Sequence, residues 1–148
     1  MRKTAVNEAK LEFPSRSENE SFARSAAAQF AAQMNPTISE LEDVKTAVSE
    51  AVTNAIIHAY PDTIGAVCLK LRVCQDNVLE VTVRDRGRGI ADIAQARQPM
   101  FTTGGEERSG MGFTIMESFM DAVTVRSKPG RGAAVTMTKR FSSRRREK

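Results

Sequence analysis

Apolar residues recur along the chain with two different periods, and the changes of period mark out its elements. Leu11 and Phe13 stand two apart before Pro14, which predicts a short edge strand closing the otherwise polar residues 1–16. Ser17-Glu18-Asn19-Glu20 then places a serine three residues before a glutamate, a capping box that opens an alanine-rich helix to about Gln33. Asn35-Pro36 breaks it. A second box, Ser39-Glu40-Leu41-Glu42, opens a longer helix to about Ala59, in which Leu41, Val44, Val48, Val52, Ala55 and Ala59 form one apolar stripe. Tyr60-Pro61-Asp62 ends that helix.

The period then drops to two. Val67, Leu69, Leu71 and Val73 alternate with Cys68, Lys70, Arg72 and Cys74, Gln75-Asp76-Asn77 turns the chain, and Leu79, Val81 and Val83 repeat the apolar face, so the segment reads as a hairpin. Residues 85–112 are glycine-rich and aperiodic, long for a loop in a compact domain, which predicts a lid over a site. From Met111 a helix carries Phe113, Met116, Phe119 and Met120. Two strands near Val123–Arg126 and Ala134–Phe141 flank the turn Pro129-Gly130-Arg131-Gly132. Helices, hairpin, lid, helix, hairpin describes an α+β two-layer sandwich.

At 148 residues the chain is one ordinary domain, taken as residues 1–141, followed by a basic tail at 142–148. Location changes the meaning of the charge. Residues 139–148 carry six basic side chains against Glu147, more than the whole net charge of +4, and the remaining body is nearly neutral. Direct nucleic-acid binding is therefore not expected. Neither a secretory signal nor an apolar run of membrane-spanning length is apparent, and the expectation is a cytoplasmic chain without a membrane partner. Cys68 and Cys74 form no metal-binding spacing, with His58 the only histidine.

Three polar motifs carry the candidate chemistry. Glu50, Asn54 and His58 recur every four residues on one stripe beside the apolar face, bordered by Ala47 and Ala51. A carboxylate and a carboxamide one turn apart suit a general base and an oxygen ligand for Mg²⁺, although on a helix they are also the makings of a solvated flank. Asp85 continues the buried face of Leu79, Val81 and Val83, where an unpaired carboxylate is costly and needs a donor. A purine amine would supply one; a turn of the chain would supply another. Gly87 and Gly89 follow, spaced to let backbone approach a flat ligand. Gly110-Met111-Gly112 opens the next helix, where free amides and the helix dipole favour phosphate.

Taken in this order, the three motifs resemble those of the GHKL ATPases, which include the histidine kinases. Within that superfamily the chain is most similar to the anti-sigma F factors, through Ser15-Arg16-Ser17-Glu18-Asn19-Glu20-Ser21-Phe22-Ala23-Arg24, Val48-Ser49-Glu50-Ala51-Val52-Thr53-Asn54-Ala55-Ile56-Ile57-His58, Arg97-Gln98-Pro99-Met100-Phe101-Thr102-Thr103 and Glu107-Arg108-Ser109-Gly110-Met111-Gly112-Phe113-Thr114-Ile115-Met116-Glu117. The resemblance covers roughly residues 10–140 and implies a Bergerat-type sandwich: a mixed, mostly antiparallel sheet with helices on one face and an ATP lid. It implies a homodimer that with ATP and Mg²⁺ holds a sporulation sigma factor inactive and phosphorylates a serine of an anti-anti-sigma factor.

By the same resemblance Glu50 is the general base, Asn54 the Mg²⁺ ligand, Asp85 the adenine reader and Arg24 a partner-docking residue. Gly87, Gly89, Thr102, Thr103, Arg108, Gly110, Met111 and Gly112 contribute to the nucleotide site. Gly104-Gly105 stand where relatives commonly carry Lys-Pro, and Ala133-Ala134 where threonines are common; both departures are expected to touch the phosphate end, with Arg108 supplying the lost positive charge. Three other readings remain open at this point: a histidine-kinase module, a stress-type anti-sigma serine kinase, and a non-catalytic interaction module gated by nucleotide.

Overall fold

The computed structural model of the protein describes residues 5–87, 111–128 and 130–142. Its strands are β1 (Ala5–Pro14), β2 (Ala66–Cys74), β3 (Val78–Asp85), β4 (Ala122–Lys128) and β5 (Gly132–Arg140), and its α-helices are α1 (Glu18–Ala31), α2 (Ile38–Asn54) and α3 (Met111–Phe119). The strands form one sheet in the order β1-β2-β3-β5-β4. Every neighbouring pair is antiparallel, so the described sheet is wholly antiparallel rather than mixed. Among the described residues no helix is long and apolar enough to cross a membrane.

β1 runs for ten residues, well beyond the expected Leu11–Phe13. Its inward positions include Ala9 opposite Leu71, a residue too small to advertise a strand, while Glu8, Lys10 and Glu12 lie opposite Arg72, Lys70 and Cys68 on the outer face. The other face carries Leu69, Leu71, Val81, Val83, Val135 and Met137, and the helices pack there. α1 buries Ala23, Ala27 and Ala31, and α2 buries Val44, Ala47, Val48, Ala51 and Val52. Ala47 and Ala51, which border the polar stripe on its inner side, belong to the core, where small side chains let the helices approach. α3 buries Phe113 and Met116 but leaves Phe119 partly exposed, and Met120 directly after it is buried.

Both helix starts differ from the sequence pattern. Ser17 makes no side-chain cap; Glu20, its expected partner, pairs with Arg24 instead at 2.9 Å. The second box is real but begins two residues earlier. Thr37 accepts the Glu40 amide at 3.0 Å, while Glu40 accepts the Thr37 amide at 2.9 Å. Thr37, directly after Pro36, has the extended backbone that an N-cap requires, so the helix starts at Ile38.

α2 also ends early. After Asn54 the chain widens into a π-turn at Ala55–Ala59. The π-turn carries His58, half-buried, one wider turn beyond Asn54. At the far end of α2, Ser142 donates its amide to Glu40 at 2.9 Å, which ties the first residue of the expected tail to the folded body.

Candidate nucleotide site

Two independent packings build the site at the C-terminal end of α2. In the first, α3 begins against the polar stripe. Gly112, buried in the first turn of α3, lies so close to that stripe that a methyl group there would sit 3.3 Å from Asn54 Nδ2, Asn54 Oδ1 and Glu50 Oε1. Larger side chains would displace both residues. Asn54 Oδ1 is shut off from solvent with no hydrogen-bond partner. Native folds leave few buried polar atoms in that condition, and those they leave call for a ligand or a function. A hard, oxygen-seeking cation suits an orphaned carboxamide oxygen beside a carboxylate, so the donor set fits Mg²⁺. Glu50 is half-buried and makes no hydrogen bond among the described residues, which leaves its oxygens uncommitted.

In the second packing, the central strand β3 delivers Asp85 to the end of the sheet nearest the end of α2. Leu79, Val81, Val83 and Asp85 share the buried face as their spacing requires, and Asp85 is only 8% exposed. Its Oδ1 accepts two backbone amides, Gly87 at 2.9 Å and Ala133 at 3.2 Å. The turn that the sequence left open as an alternative donor is therefore present, yet it occupies a single oxygen. Oδ2 accepts no hydrogen bond from the described residues. Burial pushes the Asp85 carboxyl above its ordinary value, and the two amides oppose that shift without cancelling it.

The glycines here serve packing as much as ligand approach. A methyl group on Gly87 would lie 2.2 Å from the Ala59 carbonyl oxygen, so the chain leaving β3 lies against the end of the π-turn. Gly132 has a φ of +98°, and a methyl group there would meet the Asp85 carbonyl oxygen at 2.2 Å. Ala133 pairs with Asp85 and feeds it an amide, while Ala134 pairs with Arg84 on the outer face.

Of the remaining expected site residues, Met111 opens α3. Arg24 stands on α1, engaged with Glu20, two residues after the half-exposed Phe22. Gly89, Thr102, Thr103, Arg108 and Gly110, together with Gly104-Gly105 and nearly all of the expected lid, lie outside the described residues. Tyr60 escaped the sequence reading altogether, because it looked only like a helix terminator. Its hydroxyl accepts the Arg86 amide at 2.8 Å and donates to the Ala66 carbonyl at 2.8 Å. No local pattern announces a contact across 26 residues.

The chain matches the family model described as a histidine kinase-like ATPase domain over residues 13–139. It is 56% identical over 138 residues to the anti-sigma F factor of Geobacillus kaustophilus, covering 92% of this chain and 94% of the relative. With the anti-sigma F factor of Caldanaerobacter subterraneus it shares 54% identity over 134 residues, covering 90% and 93%. The chain belongs to the anti-sigma F factor family.

The fold of this anti-sigma F family member recurs in more distant solved structures. The RsbU and RsbW domains of Rv1364c from Mycobacterium tuberculosis superpose on 92% of it, and on 32% of that chain, with a TM-score of 0.68 at 18% identity. The mycobacterial sensor histidine kinase MprB covers 90% of it, over 100% of that chain, with a TM-score of 0.58 at 15% identity. At such identities the likeness speaks for the fold alone, a histidine-kinase-like α/β sandwich. The family gives that sandwich an ATP-dependent kinase role.

Proposed function

We propose that the protein is an ATP-dependent serine kinase and anti-sigma factor: with Mg·ATP it holds a sporulation sigma factor of the sigma F type inactive, and it phosphorylates a serine of an anti-anti-sigma factor. The observation that carries this reading is the pair Glu50 and Asn54, one turn apart against Gly112, with an uncommitted carboxylate beside an orphaned, buried carboxamide oxygen. A buried carboxamide oxygen without a partner, beside a carboxylate, is a donor pair that a cation could complete.

Mg·ATP, when bound, supplies the γ-phosphoryl group and neutralises the charge that develops as it transfers. Asn54 Oδ1 would hold the cation. Glu50 would accept the proton of the serine hydroxyl as the γ-phosphoryl group passes from ATP to the serine oxygen with ADP as leaving group, which is the role of a carboxylate base. Asp85 Oδ2 accepts the exocyclic amine of adenine, and the Gly87 and Ala133 amides keep the carboxylate oriented by holding its other oxygen. Met111 and Gly112, at the start of α3, would offer backbone amides to phosphate, and the resemblance adds Gly89, Thr102, Thr103, Arg108 and Gly110, which lie outside the described residues, to the nucleotide-binding set. Arg24 docks the protein partners as part of a homodimer.

Incubation with labelled ATP, Mg²⁺ and the candidate anti-anti-sigma protein tests the reading. Acid-stable phosphoserine on the partner is the expected product. Phosphohistidine, or no transfer with intact ATP binding, would instead favour a histidine-kinase module or a non-catalytic, nucleotide-gated protein.

A further inference from the structure

Tyr60 is placed where it can set the geometry of the adenine end without touching a ligand. Its hydroxyl accepts the amide of Arg86, the residue directly after Asp85, and donates to the carbonyl of Ala66 at the head of β2. One oxygen therefore ties the ends of two paired strands together at the row where Val67 faces Asp85. The ring is fixed as firmly as the hydroxyl. It lies over Gly65 so closely that a methyl group there would fall 2.1 Å from Tyr60 Cε1. Gly65 is itself held from the other side, where Ser15, nearly buried, accepts its amide at 3.0 Å and donates to its carbonyl at 2.8 Å.

The consequence falls on Asp85. Two neighbouring attachments locate its carboxylate: the Gly87 and Ala133 amides on Oδ1, and the backbone path from Asp85 to Gly87, which is pinned at Arg86 by Tyr60 and at Gly87 by the close approach to Ala59. Loss of the hydroxyl frees the middle of that three-residue path while leaving its ends in place. The carboxylate stays buried, but its orientation loosens.

We propose that Tyr60 is a positioning residue for purine recognition, acting through Arg86 on Asp85; this rests on Asp85 being the adenine acceptor. A carboxylate aimed at an exocyclic amine discriminates strongly against a base that presents a carbonyl at the same place, since the buried acceptor is then left without its donor. Tyr60 therefore governs the selectivity between adenine and hypoxanthine nucleotides rather than nucleotide affinity in general.

The test compares the affinities of ATP and inosine triphosphate by calorimetry in wild type, Tyr60→Phe, Ser15→Ala and Asp85→Asn, with thermal unfolding of each. Wild type should prefer ATP by about ten- to hundredfold. Tyr60→Phe keeps the ring over Gly65 and should reduce that ratio several-fold, mostly by weakening ATP. Ser15→Ala removes a bond of the same clasp remote from Arg86; it should lower the unfolding temperature and leave the ratio alone. Should Asp85→Asn retain the wild-type ratio, the adenine assignment itself fails. If Asp85→Asn loses the ratio and Tyr60→Phe keeps it, the inference about Tyr60 fails alone. An equal loss in Ser15→Ala would reduce the effect to general destabilisation and overturn the inference as well. Hydrogen exchange of the wild-type Arg86 amide gives a check that needs no variant: it should be protected without nucleotide, and rapid exchange there would contradict the clasp.

Discussion

At the N-terminal end of α2, Glu40 accepts the Thr37 amide with one oxygen and the Ser142 amide with the other. Nearby, Lys139 reaches both Asp43 and the Phe119 carbonyl. At the C-terminal end of the same helix, Glu50 accepts nothing among the described residues, Asn54 Oδ1 is buried and orphaned, and Asp85 is used on one oxygen only. The two ends are made of the same kinds of residue. They differ in whether the chain completes them. Stability is invested where carboxylates are saturated, and unfilled bonding capacity accumulates where a ligand is to be held.

Titration separates the ends as well. Burial pushes the Glu40 carboxyl up, but the hydrogen bonds from Thr37 and Ser142 outweigh it and hold it below its ordinary value. Its contribution to stability is present above the ordinary glutamate value of 4.5 and is lost as pH falls through the lowered folded one. Asp85 runs the other way. Its folded form holds a proton longer than the unfolded chain does, so stability falls as pH rises from about the ordinary aspartate value of 3.8 through the raised one. Denaturant unfolding of the free protein across the acid range should show the second trend flattened in Asp85→Asn; the same slope in variant and wild type would mean that Asp85 is solvated.

The largest effect that would sharpen the contrast is catalytic. Glu50→Gln keeps the shape of the side chain but cannot take the serine proton, and phosphoryl transfer should fall by about 10²–10⁴-fold with ATP binding retained. Transfer at near the wild-type rate would make Glu50 a flank residue. Next comes Asp85→Asn, which should weaken ATP by about ten- to hundredfold through loss of a charged hydrogen bond, while the free protein at neutral pH stays at least as stable as wild type. Calorimetry and thermal unfolding together decide this; a variant that binds normally, or one that unfolds, breaks the account of this end. Smallest is the saturated end. Glu40→Ala removes the capping box and the Ser142 tether, and should cost about 1–2 kcal/mol of stability with nucleotide affinity unchanged.

What the sequence could disclose follows the same division. Alternation placed β2 and β3 within a residue or two, and it put Asp85 on the buried face because the spacing from Leu79 leaves no other side. The Glu50 and Asn54 stripe was legible because both lie within regular α-helix. The π pitch of Ala55–Ala59 was not legible, because nothing in Ala55-Ile56-Ile57-His58-Ala59 signals it. Thr37 lost the N-cap to Ser39 in the reading because two overlapping patterns, Thr-x-x-Glu and Ser-x-x-Glu, both fit, and only the extended backbone after Pro36 chooses. Tyr60 and Ala133 were invisible as site residues, since each acts through a partner that only the folded register brings near.

The central claim is that the C-terminal end of α2 is left unsatisfied by the chain for Mg·ATP to complete, and Asn54→Leu tests it most directly. The substitution replaces an orphaned carboxamide with an apolar group of similar size. Thermal unfolding of the free variant, beside calorimetry of ATP with and without Mg²⁺, should show stability equal to or above wild type together with loss of the Mg²⁺-dependent part of the affinity. A destabilised free protein whose ATP affinity still responds to Mg²⁺ as in wild type would show that Asn54 serves the fold and that the cation is held elsewhere.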